Sequence, residues 1–138
     1  MTILCPIDFS AATEAVVMYS AALAAGTGAK LRLLHVLAAE PGTPVDDVAL
    51  ARHMARHREA ALATGAQVTT ALIPGDAARE IVAEARRHPA DIIVIGAHGQ
   101  TGLTRFLMGS TAETVVRTAP CVTLLVKPGC QQAYRQSA

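Results

Sequence analysis

The sequence predicts an α/β domain built on an open, five-stranded, mostly parallel sheet with helices on both faces. Five short apolar runs alternate with longer stretches whose apolar residues recur at helical spacing, the pattern left by successive βαβ units. A length of 138 residues suits one domain and leaves room for a core without metal or disulfide staples. Hydrophobic residues make up 51% of the chain and charged residues 17%. No apolar run approaches the roughly 18 residues of a membrane-spanning helix, so the apolar surplus belongs to a core or a subunit interface.

The strands are predicted at Ile3 to Ile7, Lys30 to Leu37, Gln67 to Leu72, Asp91 to Ile95 and Val122 to Lys127. The first helix is expected from an N-cap at Ser10 to Gly26, with Ala12, Val16, Tyr19 and Leu23 on its inner face. The second spans about Val45 to Thr64 and stops at Gly65. Its acids, Asp46 and Asp47, come early and its bases, Arg52, Arg56 and Arg58, follow, as the helix dipole favours. The third starts at Asp76 after Pro74-Gly75, turns Ile81, Val82 and Ala85 inward and is stopped by Pro89. Ser110 with Glu113 reads as a capping box opening a fourth helix, which carries Val115 and Val116 and ends before Pro120.

Pro6 conflicts with this scheme, because a central strand needs the N–H that proline lacks. The conflict disappears if the ladder ends there and Pro6 begins the turn toward Ser10. Asp8 would then leave the sheet at its C-terminal edge, where open α/β sheets bind ligands. The segment GAHGQTGLTRFLMGS, Gly96 to Ser110, follows the fourth strand and leaves at the same edge.

That segment holds four glycines, and glycine lets backbone N–H groups approach an anion closely or take positive φ. On spacing alone it reads as well as a connector, in which Gly96 ends a strand, Gly102 turns the chain and Ser110 caps. It is not a Walker A loop, and the only lysines, Lys30 and Lys127, lie elsewhere. Arg105 is its single cation, either a phosphate contact or a solvated charge.

The spacing Gly96-x2-Gly99-x9-Gly109-Ser110 resembles the nucleotide-binding motif G-x2-G-x9-G-[ST] of the universal stress protein family, in its ATP-binding branch. The resemblance extends to CPIDFS at Cys5 to Ser10, LLHV at Leu33 to Val36 and APCVTLLVK at Ala119 to Lys127. It implies a Rossmann-like adenine-nucleotide-binding fold with strand order 3-2-1-4-5, a single domain over residues 1–128 and a tail over 129–138. By the same resemblance Asp8 would contact the nucleotide near ribose and the backbone of Val36 would contact adenine. Gly96, Gly99, Gly109 and Ser110 would hold phosphates and ribose, with Thr111 beside them, and Pro6 would shape the turn before Asp8. His98 lies between the first two motif glycines, where either its side chain touches phosphate or metal or only its backbone binds. Gln100 departs from the family, many members having Arg there, which weakens the case for tight triphosphate binding.

The expected ligand is ATP, with or without Mg²⁺, or a related adenine nucleotide acting as a stress-response signal. The alternatives are a slow ATP hydrolase and a nucleotide-free dimeric interaction module. No catalytic residue is assigned, because no nucleophilic triad or pair of flanking carboxylates is readable. Family members commonly form homodimers through the last strand, and Val122 to Val126 would be an apolar edge here, either open to pairing with a second copy or protected by Lys127 and Pro128 at its end.

A net charge of +1 and 3% aromatic residues argue against nucleic acid as a partner. The N-terminus has no basic n-region, so a cytoplasmic address is expected. Cys5, Cys121 and Cys130 form no C-x-x-C pair and indicate neither disulfides nor zinc. His53 and His57, four apart, could ligate a metal but read better as solvated residues beside Arg52 and Arg56. His35 is expected to be hydrogen-bonded structurally.

Overall fold

The computed structural model describes residues 1–37, 46–96 and 109–127. Five strands, β1 (Thr2–Pro6), β2 (Lys30–Leu37), β3 (Gln67–Pro74), β4 (Ile92–Gly96) and β5 (Val122–Val126), form one sheet. All its neighbours are parallel, in the order β3-β2-β1-β4-β5. Helices α1 (Thr13–Thr27), α2 (Asp47–Leu62), α3 (Ala77–Arg87) and α4 (Ser110–Thr118) make the crossovers. The predicted fold class and strand order therefore stand.

Strand alternation divides the core in two. Ile3, Cys5, Leu31, Leu33 and Val94 pack with Val16, Val17, Ala21 and Ala24 of α1 and Met54 and Ala61 of α2. Leu4, Leu34, Ile93 and Ile95 point the other way, onto Ile81, Val82 and Ala85 of α3 and Ala112 and Val115 of α4. Each central strand is apolar on both sides because both sheet faces are covered. Against the first face, burial pushes the Cys5 thiol up to about 12 despite a hydrogen bond with Ser20, so it is an inert packing group.

Helix boundaries show where local chemistry prevails. Asp46 caps α2 by accepting from the Ala49 N–H at 3.0 Å, and Asp76 caps α3 through the Arg79 N–H at 3.0 Å. The predicted end of α1 is corrected by one half-turn: Gly26 stays helical, and Gly28 takes the left-handed conformation, φ 73°. Its N–H closes on the Ala24 carbonyl. The buried stripe of α1 runs Thr13, Val16, Val17, Ser20, Ala21, Ala24, which leaves Tyr19 exposed on the opposite side. The start also shifts, with Ala12 as the boundary residue. Ser10 still contributes, since its hydroxyl accepts from the Ala12 N–H at 3.3 Å and its carbonyl from the Thr13 N–H at 3.1 Å.

On β5, Thr123 carries the one buried side-chain polar atom without a hydrogen-bond partner among the described residues. A buried hydroxyl without a partner costs about 1 to 3 kcal/mol. Thr123→Val keeps the branched shape, and we expect it to raise the thermal midpoint by a few °C, read by calorimetry. An unchanged or lowered midpoint would show that the hydroxyl is already satisfied.

Candidate functional site

The sheet opens between β1 and β4. Their pairing covers only Ile3 with Ile92 and Leu4 with Ile93. On the other side, β1 stays paired with β2 through Pro6 and Leu34, and the Ile7 N–H reaches the Leu34 carbonyl at 2.8 Å. Successive N–H groups of a strand point to alternate neighbours. Ile7 donates to β2, so the nitrogen of Pro6 faces β4, where no ladder remains. Proline is thus accommodated because only one of the two ladders has ended. This split is also the topological switch point, since α1 and α2 cover one face and α3 and α4 the other.

Beyond Pro6 the chain makes a tight turn organised by Asp8. Its Oδ1 accepts from the Ser10 N–H at 3.0 Å and from the Thr13 hydroxyl at 3.2 Å, tying the turn to the start of α1. Phe9 within the turn has φ 59°, the only non-glycine positive φ among the described residues. That conformation costs an L-residue about 1 to 2 kcal/mol, so its surroundings must hold it.

Three imidazoles do so. The Phe9 ring centroid lies 4.4 Å from that of His35, 5.5 Å from His53 and 6.0 Å from His57, the last nearly parallel at 13°. His35 Nδ1 lies 2.8 Å from the Ile7 carbonyl, which can only accept, so this nitrogen carries the proton. The structural role expected of His35 is met. The expectation for α2 holds at His53, which is exposed, and is corrected at His57, which is half-buried; both rings lie near that of Phe9. Their i, i+4 spacing showed that they share a face, but nothing local showed that Phe9 would meet it. Among the described residues no group of three or more His, Cys, Asp or Glu side chains is placed to hold a metal ion.

Val36 lies near the end of β2, partly buried against the α3 and α4 face. Gly96 ends β4, paired with Val126. Because all strands are parallel, the ends of β1, β2 and β4 share one edge, and the crossover to β5 starts α4 there too. Gly109 is the boundary residue of α4, with φ −61° and ψ 154°, a conformation open to any residue. A need for positive φ therefore does not explain this glycine.

The predicted capping box is overturned. The helix begins one residue earlier than expected, so Ser110 is its first residue and no side chain caps it. Glu113 pairs one turn onward with Arg117. The first intrahelical donor is the Glu113 N–H, bonded to the Gly109 carbonyl at 2.9 Å. An α-helix leaves its leading N–H groups without intrahelical partners, so those of Ser110 and Thr111 face the sheet edge. Of the two valines carried by α4, Val115 is buried while Val116 is 42% exposed, and Val122 at the start of β5 is 60% exposed. His98, Gly99, Gln100, Gly102 and Arg105 lie outside the described residues, as does Cys130.

This is a doubly wound parallel α/β fold with its split strands and a helix N-terminus at one edge. The sequence model of the universal stress protein family matches residues 1–127. The chain belongs to the universal stress protein family. A Thermus aquaticus universal stress protein is 33% identical over 134 residues, covering 91% of this chain and 98% of its own. The Methanocaldococcus jannaschii universal stress protein MJ0531 is 46% identical over 63 residues, 46% of this chain but only 37% of that relative's length. Among solved structures, a universal stress protein in complex with cAMP is 26% identical with a TM-score of 0.76, covering 92% of this chain and 96% of that one. The Archaeoglobus fulgidus universal stress protein in complex with dAMP is 25% identical with a TM-score of 0.75, covering 92% and 98%. No described helix is long and apolar enough to cross a membrane.

Proposed function

We propose that this chain binds ATP or a related adenine nucleotide at the C-terminal edge of its sheet and acts as a regulatory stress protein. The observation that carries the reading is the juxtaposition at one edge of the β1/β4 split, the Asp8 turn and the N-terminus of α4. The split gives room for a ligand, and the helix N-terminus offers N–H donors and positive potential to phosphate. The fixed Asp8 carboxylate is an acceptor suited to sugar hydroxyls. The cAMP and dAMP bound by related structures support an adenine nucleotide as the class.

In this reading Pro6 shapes the wall and the backbone of Val36 meets the base. Gly96, His98, Gly99, Arg105, Gly109, Ser110 and Thr111 surround ribose and phosphates, with or without Mg²⁺. Residues 1–128 form the one domain, and the exposed Val122 edge of β5 is the surface for a homodimer. In this reading the ligand serves as a signal.

Isothermal titration with ATP, AMP and cAMP, alongside mass spectrometry of small molecules released on denaturation, tests this directly. Asp8→Ala should weaken binding about tenfold, the loss of one or two sugar hydrogen bonds. Absence of heat with every nucleotide, together with none released, would refute the proposal.

A further inference from the structure

The Asp8 turn is held from outside the edge by a group the proposed binding does not use. Phe9 is kept in the left-handed region while its ring packs on His35 of β2 and on His53 and His57 of α2. We propose that Phe9 and these three histidines form a proton-sensitive latch on the Asp8 turn, coupling nucleotide affinity to pH. The proposal rests on the nucleotide reading above and adds its regulation.

Two observations connect latch and site. Phe9 is flanked by Asp8 and Ser10, whose mutual hydrogen bond at 3.0 Å defines the turn, so Phe9 cannot leave its conformation without disturbing that bond. His35 holds the strand just before it through the Ile7 carbonyl at 2.8 Å. Nδ1 is already the donor there, so the bond to Ile7 needs no further proton. The pH-responsive part is therefore on α2, at His57, the half-buried member of the pair.

The charges facing that pair are few. From α1 comes Glu14, the only charged residue of that helix; from α2 itself come Arg56 and the other histidine; and Asp8 stands next to Phe9 in the turn. β3 carries no charged residue. Burial and Arg56 together outweigh Glu14, and they hold His57 below the ordinary imidazole range. At position 57 the unfolded chain then takes up its proton before the folded chain does. Stability contributed by neutral His57 is full above the ordinary imidazole range and is lost as pH falls through it toward the lower value that His57 has in the fold. Acidification should thus loosen α2 from Phe9, and the turn relaxes.

The experiment titrates ATP into the full chain by calorimetry at about pH 7.5 and about pH 5.5, either side of the imidazole range, and repeats it with H53Q/H57Q. Protonation of ATP itself is common to both proteins, so their difference isolates the histidines. The wild type should lose at least about threefold more affinity than the double variant over this interval. Equal losses would overturn the latch.

In parallel, NMR of the nucleotide-free wild type follows the Ser10 amide and Phe9 ring signals against pH. Both should shift with the midpoint of His57, and signals that stay fixed would also overturn the latch. If ATP binds neither protein at any pH, the nucleotide reading fails, while the NMR titration still decides whether protonation moves the turn.

Discussion

Glu84→Ala is expected to cost about 3 kcal/mol of stability, within the range for breaking a buried ion pair from one side. The side chain of Glu84 is 2% exposed on the inner face of α3. Arg32 of β2 reaches its Oε1 at 3.2 Å, Arg87 its Oε2 at 3.1 Å, and His88 its Oε1 at 3.5 Å. Removing the carboxylate leaves Arg32, itself only 22% exposed, without its ion-pair partner between helix and sheet. Glu80 continues the network outward through Arg87 at 3.4 Å but does not pair with Arg32. A drop of about 10 °C in thermal midpoint follows for a domain of this size. By contrast, Glu113→Ala removes an exposed pair with Arg117 and should leave the midpoint nearly unchanged. Equal effects of the two substitutions would mean that burial does not set the worth of the Glu84 cluster.

The second large effect concerns binding and should spare the fold. Gly109→Glu is expected to reduce nucleotide affinity at least about 100-fold, equivalent to about 3 kcal/mol. The backbone there, φ −61° and ψ 154°, accepts a side chain without strain. An acid at a helix N-terminus also suits the dipole. The thermal midpoint of the nucleotide-free protein should therefore hold or rise slightly. The new carboxylate would occupy the space and the positive potential assigned to phosphate. Calorimetric titration of both proteins at one salt concentration checks the first half, and a thermal scan the second. Wild-type affinity in the variant would remove the α4 N-terminus from the site.

These expectations draw unequally on sequence and structure. Strand positions and the two-faced core were legible because central parallel strands are apolar on both sides and Asp76 marks the start of α3. Helix α2, expected over Val45 to Thr64, runs only Asp47–Leu62, capped by Asp46 and closed at Ala63 rather than Gly65. The α1 end was misread because Gly26 and Gly28 are both available, and only the position of the buried stripe decides which closes the helix. Ser110 and Glu113 have capping-box spacing, yet Gly109 takes the boundary, shifting both residues by one.

The Asp8 turn and the glycine positions at the edge were visible through their motif. The three imidazoles on Phe9 were not, because they come from β2 and α2 and meet only through tertiary packing. Glu84 likewise carries no local signal, because Arg32 meets it only where α3 packs on β2.

Pro6 has a further consequence. Continuing the observed register would set Pro6 opposite Ile95, so β1 and β4 could in principle zip two residues farther and seal the edge. A single missing hydrogen discourages this. The opening between β1 and β4 thus coincides with a donor taken away, and any other residue at position 6 would restore the N–H with which the two strands could pair farther.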